Sequence, residues 1–139
     1  MIKEAYCSYE VAKLLKEKGF NEYCLKNYWS SDKELHDWKW ELSYNRNSDE
    51  NRNTKDCAAP TQQMAMKWLR EKHNLYIGIN IEVGDIQMLP SYDFEETVLG
   101  YTFVIYDKET LIWVFKDKTP RSYEDAVEAA LKYVLENLI

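Results

Sequence analysis

The residues best suited to metal or acid–base chemistry are scarce in this chain. There are two histidines, His36 and His73, and three cysteines, Cys7, Cys24 and Cys57. A structural zinc site typically uses four Cys or His ligands, and neighbouring ligands are often two to four residues apart. No two of the cysteines have that spacing. We therefore predict neither a bound metal nor a cofactor.

Motifs for covalent catalysis and nucleotide binding are also missing. There is no Gly-x-Ser-x-Gly elbow, and the four glycines, at positions 19, 78, 84 and 100, form no phosphate-binding loop. Cys57, beside a polar segment, is the best candidate for an exposed thiol. We favour a second interpretation of Cys57, a small apolar residue at a loop edge. The alternative to a non-enzymatic protein is an enzyme whose site is assembled from scattered residues. A closed polar pocket that contains His36, or acids with shifted pKa values, would support this alternative.

The net charge of the chain indicates which classes of partner are disfavoured. The chain has 18 Lys and Arg against 24 Asp and Glu, a formal net charge of -6, which repels polyanions. The basic residues Lys67, Arg70 and Lys72 are interleaved with acids rather than gathered in a stripe that could follow phosphates. We therefore predict neither nucleic acid nor a membrane as the partner, and only weak nucleic-acid binding at physiological salt.

The cysteines and the apolar pattern indicate the compartment. An odd number of widely spaced cysteines fits free thiols in a reducing environment better than a disulfide framework. No stretch approaches the roughly 18 apolar residues of a membrane span, and the first residues contain no apolar run of signal-peptide length. We therefore expect a cytoplasmic protein.

Length and periodicity predict the architecture. The chain is long enough for one α+β domain over residues 1–139, in which an antiparallel sheet packs against two or three helices. Helical periodicity occurs in three segments, 9–18, 61–73 and 122–138. Strand alternation occurs at 38–44 and 75–83, and a hairpin is predicted over 101–115. With only four Gly and three Pro, the elements are expected to be long relative to the loops.

Capping residues support the helix boundaries. Ser8 and Ser122 each stand where an N-cap is needed, and Pro60 and Thr61 open the second helix. Gly19 and Asn74 stand just after the first and second helices, where a left-handed backbone commonly ends a helix. The starts and stops of these helices are therefore predicted independently of the apolar pattern.

The segment 45–56 contains no apolar residue and consists mainly of Asn, Asp, Ser, Arg and Glu. Such a segment adds nothing to a hydrophobic core, and the residues before it are too few for a stable domain of their own. We therefore predict an exposed, mobile loop within the domain, at about 45–57. Trypsin is then expected to cut first at Arg46, Arg52 or Lys55.

Aromatic content is the feature that stands above background, with five Trp, eleven Tyr and four Phe making 14% of the chain. Aromatic residues fill sheet cores and also dominate protein interfaces. Trp38 and Trp40 lie on one face of the first predicted strand, and we expect that face to be buried. Lys39, Glu41 and Ser43 would then form an outward interaction edge, where a protein partner or a second copy of the chain could add a strand.

Residues 59–71, APTQQMAMKWLRE, and the helix that follows Ser122 resemble small uncharacterised proteins encoded by phages and mobile elements of gut bacteria. The resemblance spans most of the chain from Tyr6 onward. It implies no activity, because the shared residues are those that cap and pack helices.

From residue 61 onward the predicted order of one helix, three strands and a last helix resembles a double-stranded-RNA-binding domain. That family holds phosphates with a Lys-rich cluster at the start of its last helix. This chain has the sequence RSYED there, from Arg121 to Asp125. A hairpin leading into a Tyr-Glu-Asp-Ala helix is also similar to HicB-like antitoxins, which implies a toxin-binding role.

These features predict a small non-enzymatic protein of a phage or mobile element that acts by binding another protein. The alternatives are an enzyme with a site assembled from scattered residues, and a degenerate double-stranded-RNA-binding-like or antitoxin-like module. A pocket with a catalytic lining would favour the enzyme, whereas an unpaired strand edge would favour protein binding.

Overall fold

The computed structural model describes residues 1–39, 43–50, 52–83, 98–107, 111–113 and 122–139. Three helices occur in this part of the chain: α1 Tyr9–Glu17, α2 Gln62–His73 and α3 Tyr123–Asn137. Six strands are described: β1 Lys26–Tyr28, β2 Leu35–Asp37, β3 Cys57–Ala59, β4 Tyr76–Val83, β5 Val98–Tyr106 and β6 Leu111–Trp113. The predicted α+β class is confirmed.

All three helices begin directly after Ser8, Thr61 or Ser122, and α1 and α2 end at the stops predicted for them, Gly19 and Asn74. The hydroxyl groups of Ser8, Thr61 and Ser122 accept a hydrogen bond from the backbone N–H three residues further on, at 3.2, 3.2 and 3.0 Å. Gly19 and Asn74 have positive φ values of 93° and 56°, the left-handed backbone of a helix stop. These local signals fix the boundaries because they satisfy backbone groups that the helix itself leaves unpaired.

The strands form two antiparallel sheets rather than the one sheet predicted. The first has the order β2-β1-β3 and the second the order β4-β5-β6. Strand β4 pairs with β5 from Tyr76 opposite Tyr106 onward, and β5 pairs with β6 from Tyr106 opposite Leu111, as the predicted hairpin requires. Strands β1, β2 and β3 were not predicted, because three residues are too few to show an alternating pattern.

The main hydrophobic core forms around α3, which contacts α1, α2, β4 and β5. Its buried side chains recur at helical spacing: Ala126, Val127, Ala130, Leu131, Val134 and Leu135. Phe103 and Ile105 of β5 belong to the same cluster. Through this face of α3, the elements α1, α2, β4 and β5 share one core. Fully burying one leucine in such a core contributes roughly 1.5–3 kcal/mol.

Polar contacts fasten the starts of the three helices together. The carboxylate of Glu128 accepts a hydrogen bond from the backbone N–H of Ser8 at 2.8 Å. The buried amide of Gln62 donates to the carbonyl of Glu124 at 2.9 Å. An acid that binds the free N–H groups of another helix is favoured by that helix's dipole. The position of α1 on α3 is therefore set by a hydrogen bond as well as by apolar packing.

The predicted strand over 38–44 is wrong at the positions that the structure describes. Strand β2 ends at Asp37, and Lys39 has a left-handed φ of 51°, which interrupts an extended chain. Ser43 and Tyr44 lie in no strand. Residues 40–42, which include Trp40, lie outside the described part of the chain.

The polar segment contains no regular element in its described residues, yet the expectation of exposure is wrong at two of them. Asn45 is fully buried and Arg52 is 7% exposed. Ser48, Glu50 and Lys55 are exposed, as predicted. Asn45 also forms a two-way backbone bridge with Cys24, so the segment is fastened to the body of the protein where it starts.

Candidate functional site

The predicted interaction edge is not presented by a strand where the structure describes it. Lys39 is exposed, with its ammonium 5.4 Å from the ring centre of the half-buried Trp38. Ser43 is half-buried, and Glu41 lies outside the described residues. The binding role of Lys39, Glu41 and Ser43 stays a prediction, but the strand on which it was based is absent at Lys39 and Ser43.

Strand β4 forms a long edge of its sheet, a position that was not predicted from the sequence. It has eight residues, pairs with β5 on one side, and has no strand on its other side among the residues described. An edge strand presents unpaired backbone N–H and C=O groups, which other chains can use for pairing. The strand signal itself was clear in the sequence. Only the sheet order shows that β4 is an edge.

The side chains of β4 do little to block such pairing. The strand YIGINIEV contains no Lys and no Pro, and its one charge is Glu82. Natural edge strands commonly carry these residues to prevent association. Ile77 and Ile79 pack against the main core, whereas Tyr76 and Ile81 are 48% and 49% exposed. The middle of the strand is therefore held in place, and apolar surface is available near both ends.

A second feature is a cleft of about 630 Å³ beside α1. Its lining includes Lys13 and Lys16 of α1, Ser30, and Lys55 from the polar segment. The ammonium of Lys16 donates to the backbone carbonyls of Thr54 and Asp56, both at 2.6 Å. Burial lowers the pKa of Lys16. The cleft is thus assembled by a lysine that holds the polar segment against the helix.

Cys57 lies at this cleft but is not the exposed thiol that the sequence suggested. It is 1% exposed, and burial raises the pKa of its thiol to about 11. Cys7 and Cys24 are buried as well, and none of the three forms a disulfide. At neutral pH Cys57 is protonated and shielded, so it resembles the small apolar residue of the second interpretation and not a nucleophile.

A larger cleft, of about 770 Å³, runs beside α2 and has a mixed lining. Lys67, Arg70 and Lys72 share it with Glu4, Glu22 and Glu71. Lys67 also lies 3.9 Å from the carboxylate of Glu71. Exposed pairs of this kind contribute little energy, and the alternating signs do not favour a polyanion. This surface agrees with the prediction that the basic residues of the second helix are interleaved with acids.

A buried polar cluster anchors the segment after residue 44. The amide of Asn45 donates to the carbonyls of Cys24 and Lys26 at 2.8 and 3.0 Å, and its oxygen accepts from the guanidinium of Arg52. That guanidinium also lies 4.8 Å from the ring centre of Trp38. The composition of the segment does not reveal this cluster, because the cluster consists of residue types that are normally found in solvated loops.

Each of the two histidines lies against a tryptophan ring, His36 against Trp29 and His73 against Trp68. His36 stacks on Trp29 with ring centres 3.7 Å apart and contacts the carboxylate of Asp32 at 2.8 Å. A hydrogen bond from the N–H of Glu34 is the main cause of the lowered pKa of Asp32, which is an exposed residue. His36 lines neither of the two clefts. No group of three or more His, Cys, Asp or Glu residues in the described ranges could hold a metal ion.

Comparison of this chain with protein-family models, curated proteins and solved structures finds no match. None of the helices among the described residues is long and apolar enough to cross a membrane. The described part of the chain has two surfaces suited to binding, the β4 edge and the lysine-lined cleft beside α1.

Proposed function

We propose that this chain is a non-enzymatic cytoplasmic protein of a phage or mobile element that acts by binding another protein along the β4 edge. One observation carries the proposal: β4 is an eight-residue edge strand with a single charged residue and no described strand on its outer side. At about 3.4 Å per residue, such an edge can pair with about 27 Å of an extended partner chain. The partner is therefore an extended segment that joins the sheet as a fourth strand.

The side chains near the ends of β4 supply specificity to this pairing. Tyr76 and Ile81 lie on opposite faces of the sheet, because their positions differ by an odd number, and both are about half exposed. A partner strand would place apolar residues against each of them. Gly78 permits close packing of the strand pair, since a Cβ atom there would lie 3.1 Å from Val104 Cγ2. Pairing with β5 holds β4 extended from Tyr76 to Glu82, up to a register irregularity between Glu82 and Val83, and this order before binding lowers the entropy cost of adding a partner strand.

The module alternatives keep some support from element order. α2, β4, β5, β6 and α3 follow one another as in a double-stranded-RNA-binding domain, and the three strands are neighbours in one sheet. The first turn of α3, however, contains Glu124 and Asp125 and no basic residue. Acids at that position repel phosphates. This arrangement supports a protein-binding version of the module, such as an antitoxin-like one, over an RNA-binding version.

The test compares two isoleucine-to-lysine variants. Ile81→Lys places a charge on the exposed part of the β4 edge, while Ile2→Lys makes the same change at a fully exposed residue near the start of the chain. A displayed library of extended peptides is selected on the wild-type protein, and the affinities of the selected peptides are then measured for all three proteins. We expect Ile81→Lys to weaken binding by more than about tenfold and Ile2→Lys to leave it unchanged.

Hydrogen exchange locates the binding surface independently. Backbone amides of β4 should exchange more slowly when the peptide is bound, because their outward N–H groups become paired. Equal affinity for both lysine variants, together with unchanged exchange in β4, would overturn the proposal. Circular dichroism of the variants confirms that a loss of affinity is not a loss of fold.

A further inference from the structure

The described lining of the cleft beside α1 holds three lysines and a single acid. Lys13, Lys16 and Lys55 line it, and none of their ammonium groups forms an ion pair with any residue of the described ranges. Glu17 is the one acid among the described lining residues. In a chain with a net charge of -6, this is a local reversal of sign. Such a reversal attracts a small anion into the cleft while the rest of the surface repels polyanions.

Lys16 is the most informative of these residues. It is half-buried, and the acceptors of its two hydrogen bonds are neutral backbone carbonyls rather than carboxylates. Its position is therefore fixed by neutral groups, and one of its three N–H donors has no acceptor among the described residues. Burial is the main cause of the lowered pKa of Lys16; the charge of the buried Arg52 lowers this pKa further, while the nearby carboxylate of Asp56 raises it. An anion bound here would relieve repulsion that the protein already carries.

The other groups of the lining suit an oxyanion. Ser30 and Thr54 contribute hydroxyl groups at the same cleft, and Lys13 and Lys55 are exposed, so their ammonium groups are free to turn inward. Lysines bind phosphate as point charges, and hydroxyl groups add hydrogen bonds to the same oxygens. A volume of about 630 Å³ lies within the range of small-molecule sites. Tyr9 adds an aromatic wall.

We propose that this cleft binds a small phosphorylated molecule through Lys13, Lys16 and Lys55. Lys16 is the fixed positive charge, and Lys13 and Lys55 close on the phosphate from two sides. The site is formed by α1 and the polar segment, so ligand binding also holds that segment against the helix. The β4 edge belongs to the other sheet, so the two proposals stand or fall separately.

The experiment titrates inorganic pyrophosphate into the protein at about 0.15 M salt and follows backbone amide chemical shifts. Exposed charges further away than about 8 Å are largely screened under these conditions. The test variant is Lys13→Gln/Lys55→Gln. The matched control is Lys67→Gln/Lys72→Gln, which removes the same charge from α2. Lys16 is left in place because its loss would also release the polar segment.

We expect saturable binding of pyrophosphate, with the largest shifts around Lys16 and Ser30. Binding should weaken at least about tenfold in Lys13→Gln/Lys55→Gln and less than about twofold in the control, since two charged contacts are removed only in the first. The absence of saturable binding by the wild type overturns the proposal. So does equal weakening in both variants, which would indicate nonspecific attraction. Tight binding of duplex RNA that pyrophosphate does not compete away also overturns it, because the ligand would then be a polyanion.

Discussion

Replacing Asn45 with alanine tests whether a buried amide, rather than apolar packing, fastens the polar segment to the protein. The side chain of Asn45 is fully buried and makes three hydrogen bonds, to the carbonyls of Cys24 and Lys26 and from the guanidinium of Arg52. In Asn45→Ala these three partners lose their bonds in a site that is closed to solvent. The backbone bridge between Asn45 and Cys24 can remain, because alanine keeps both backbone groups.

The size of the effect follows from those three bonds. Each bond to a neutral partner contributes about 1 kcal/mol net, and a bond from a charged donor about 1.5–3 kcal/mol. We therefore expect Asn45→Ala to lower the free energy of unfolding by about 3.5–5 kcal/mol. This is a large share of the roughly 5–15 kcal/mol that a domain has in total. Arg52 keeps its contact with the ring of Trp38, which limits the loss.

Urea unfolding followed by tryptophan fluorescence measures this change, with Asn53→Ala as the matched control. Asn53 lies in the same segment but is exposed, and its side chain accepts one local hydrogen bond, from the N–H of Lys55 at 3.1 Å. We expect the control to change stability by less than about 0.5 kcal/mol. A loss below about 1 kcal/mol in Asn45→Ala, or equal losses in the two variants, would refute the reasoning that Asn45 anchors the segment.

Two further predictions follow from burial. Brief trypsin treatment, followed by mass spectrometry, should show cleavage after the exposed Lys55 before cleavage after Arg52, which is 7% exposed. In Asn45→Ala, Arg52 should become an early cleavage site. Early cleavage at Arg52 in the wild type would contradict the anchoring of the segment. Burial raises the pKa of Cys57 from an ordinary value of 9.0 to about 11, so its folded form holds the proton more tightly than its unfolded form. The protonated thiol of Cys57 therefore contributes its full stabilisation of the folded state below about pH 9, and this contribution is lost as the pH rises toward 11. We expect the urea midpoint to fall over this pH range, and to fall less in Cys57→Ala.

The sequence alone determined the parts of this protein that depend on near neighbours. The N-cap hydroxyl groups of Ser8, Thr61 and Ser122 bond to groups three residues away, so the helix starts can be predicted without knowledge of the fold. The left-handed stop at Asn74 is equally local. Strand β4 was also predictable, since eight alternating residues give a clear period of two.

The predicted strand at 38–44 shows where local pattern fails. The alternation around Trp38 is real, but Lys39 has a left-handed backbone and Trp38 lies against the guanidinium of Arg52 rather than on a sheet. Strands β1 and β3 show the opposite error, since both are present but were not predicted. Each has three residues and is held in place by pairing within the sheet. A segment this short forms a strand only when a partner strand is present.

Both candidate surfaces were decided by the tertiary structure alone. The lysine-lined cleft brings together α1, Ser30 and Lys55, which are distant in sequence, so no spacing could reveal it. The availability of β4 depends on sheet order, and β4 has the same sequence whether it is an edge or a central strand. Burial of Asn45 and Arg52 likewise reverses what their residue types suggest. Sequence fixes which groups a residue offers, whereas the chain's long-range contacts decide which of those groups stay unpaired and available to a partner.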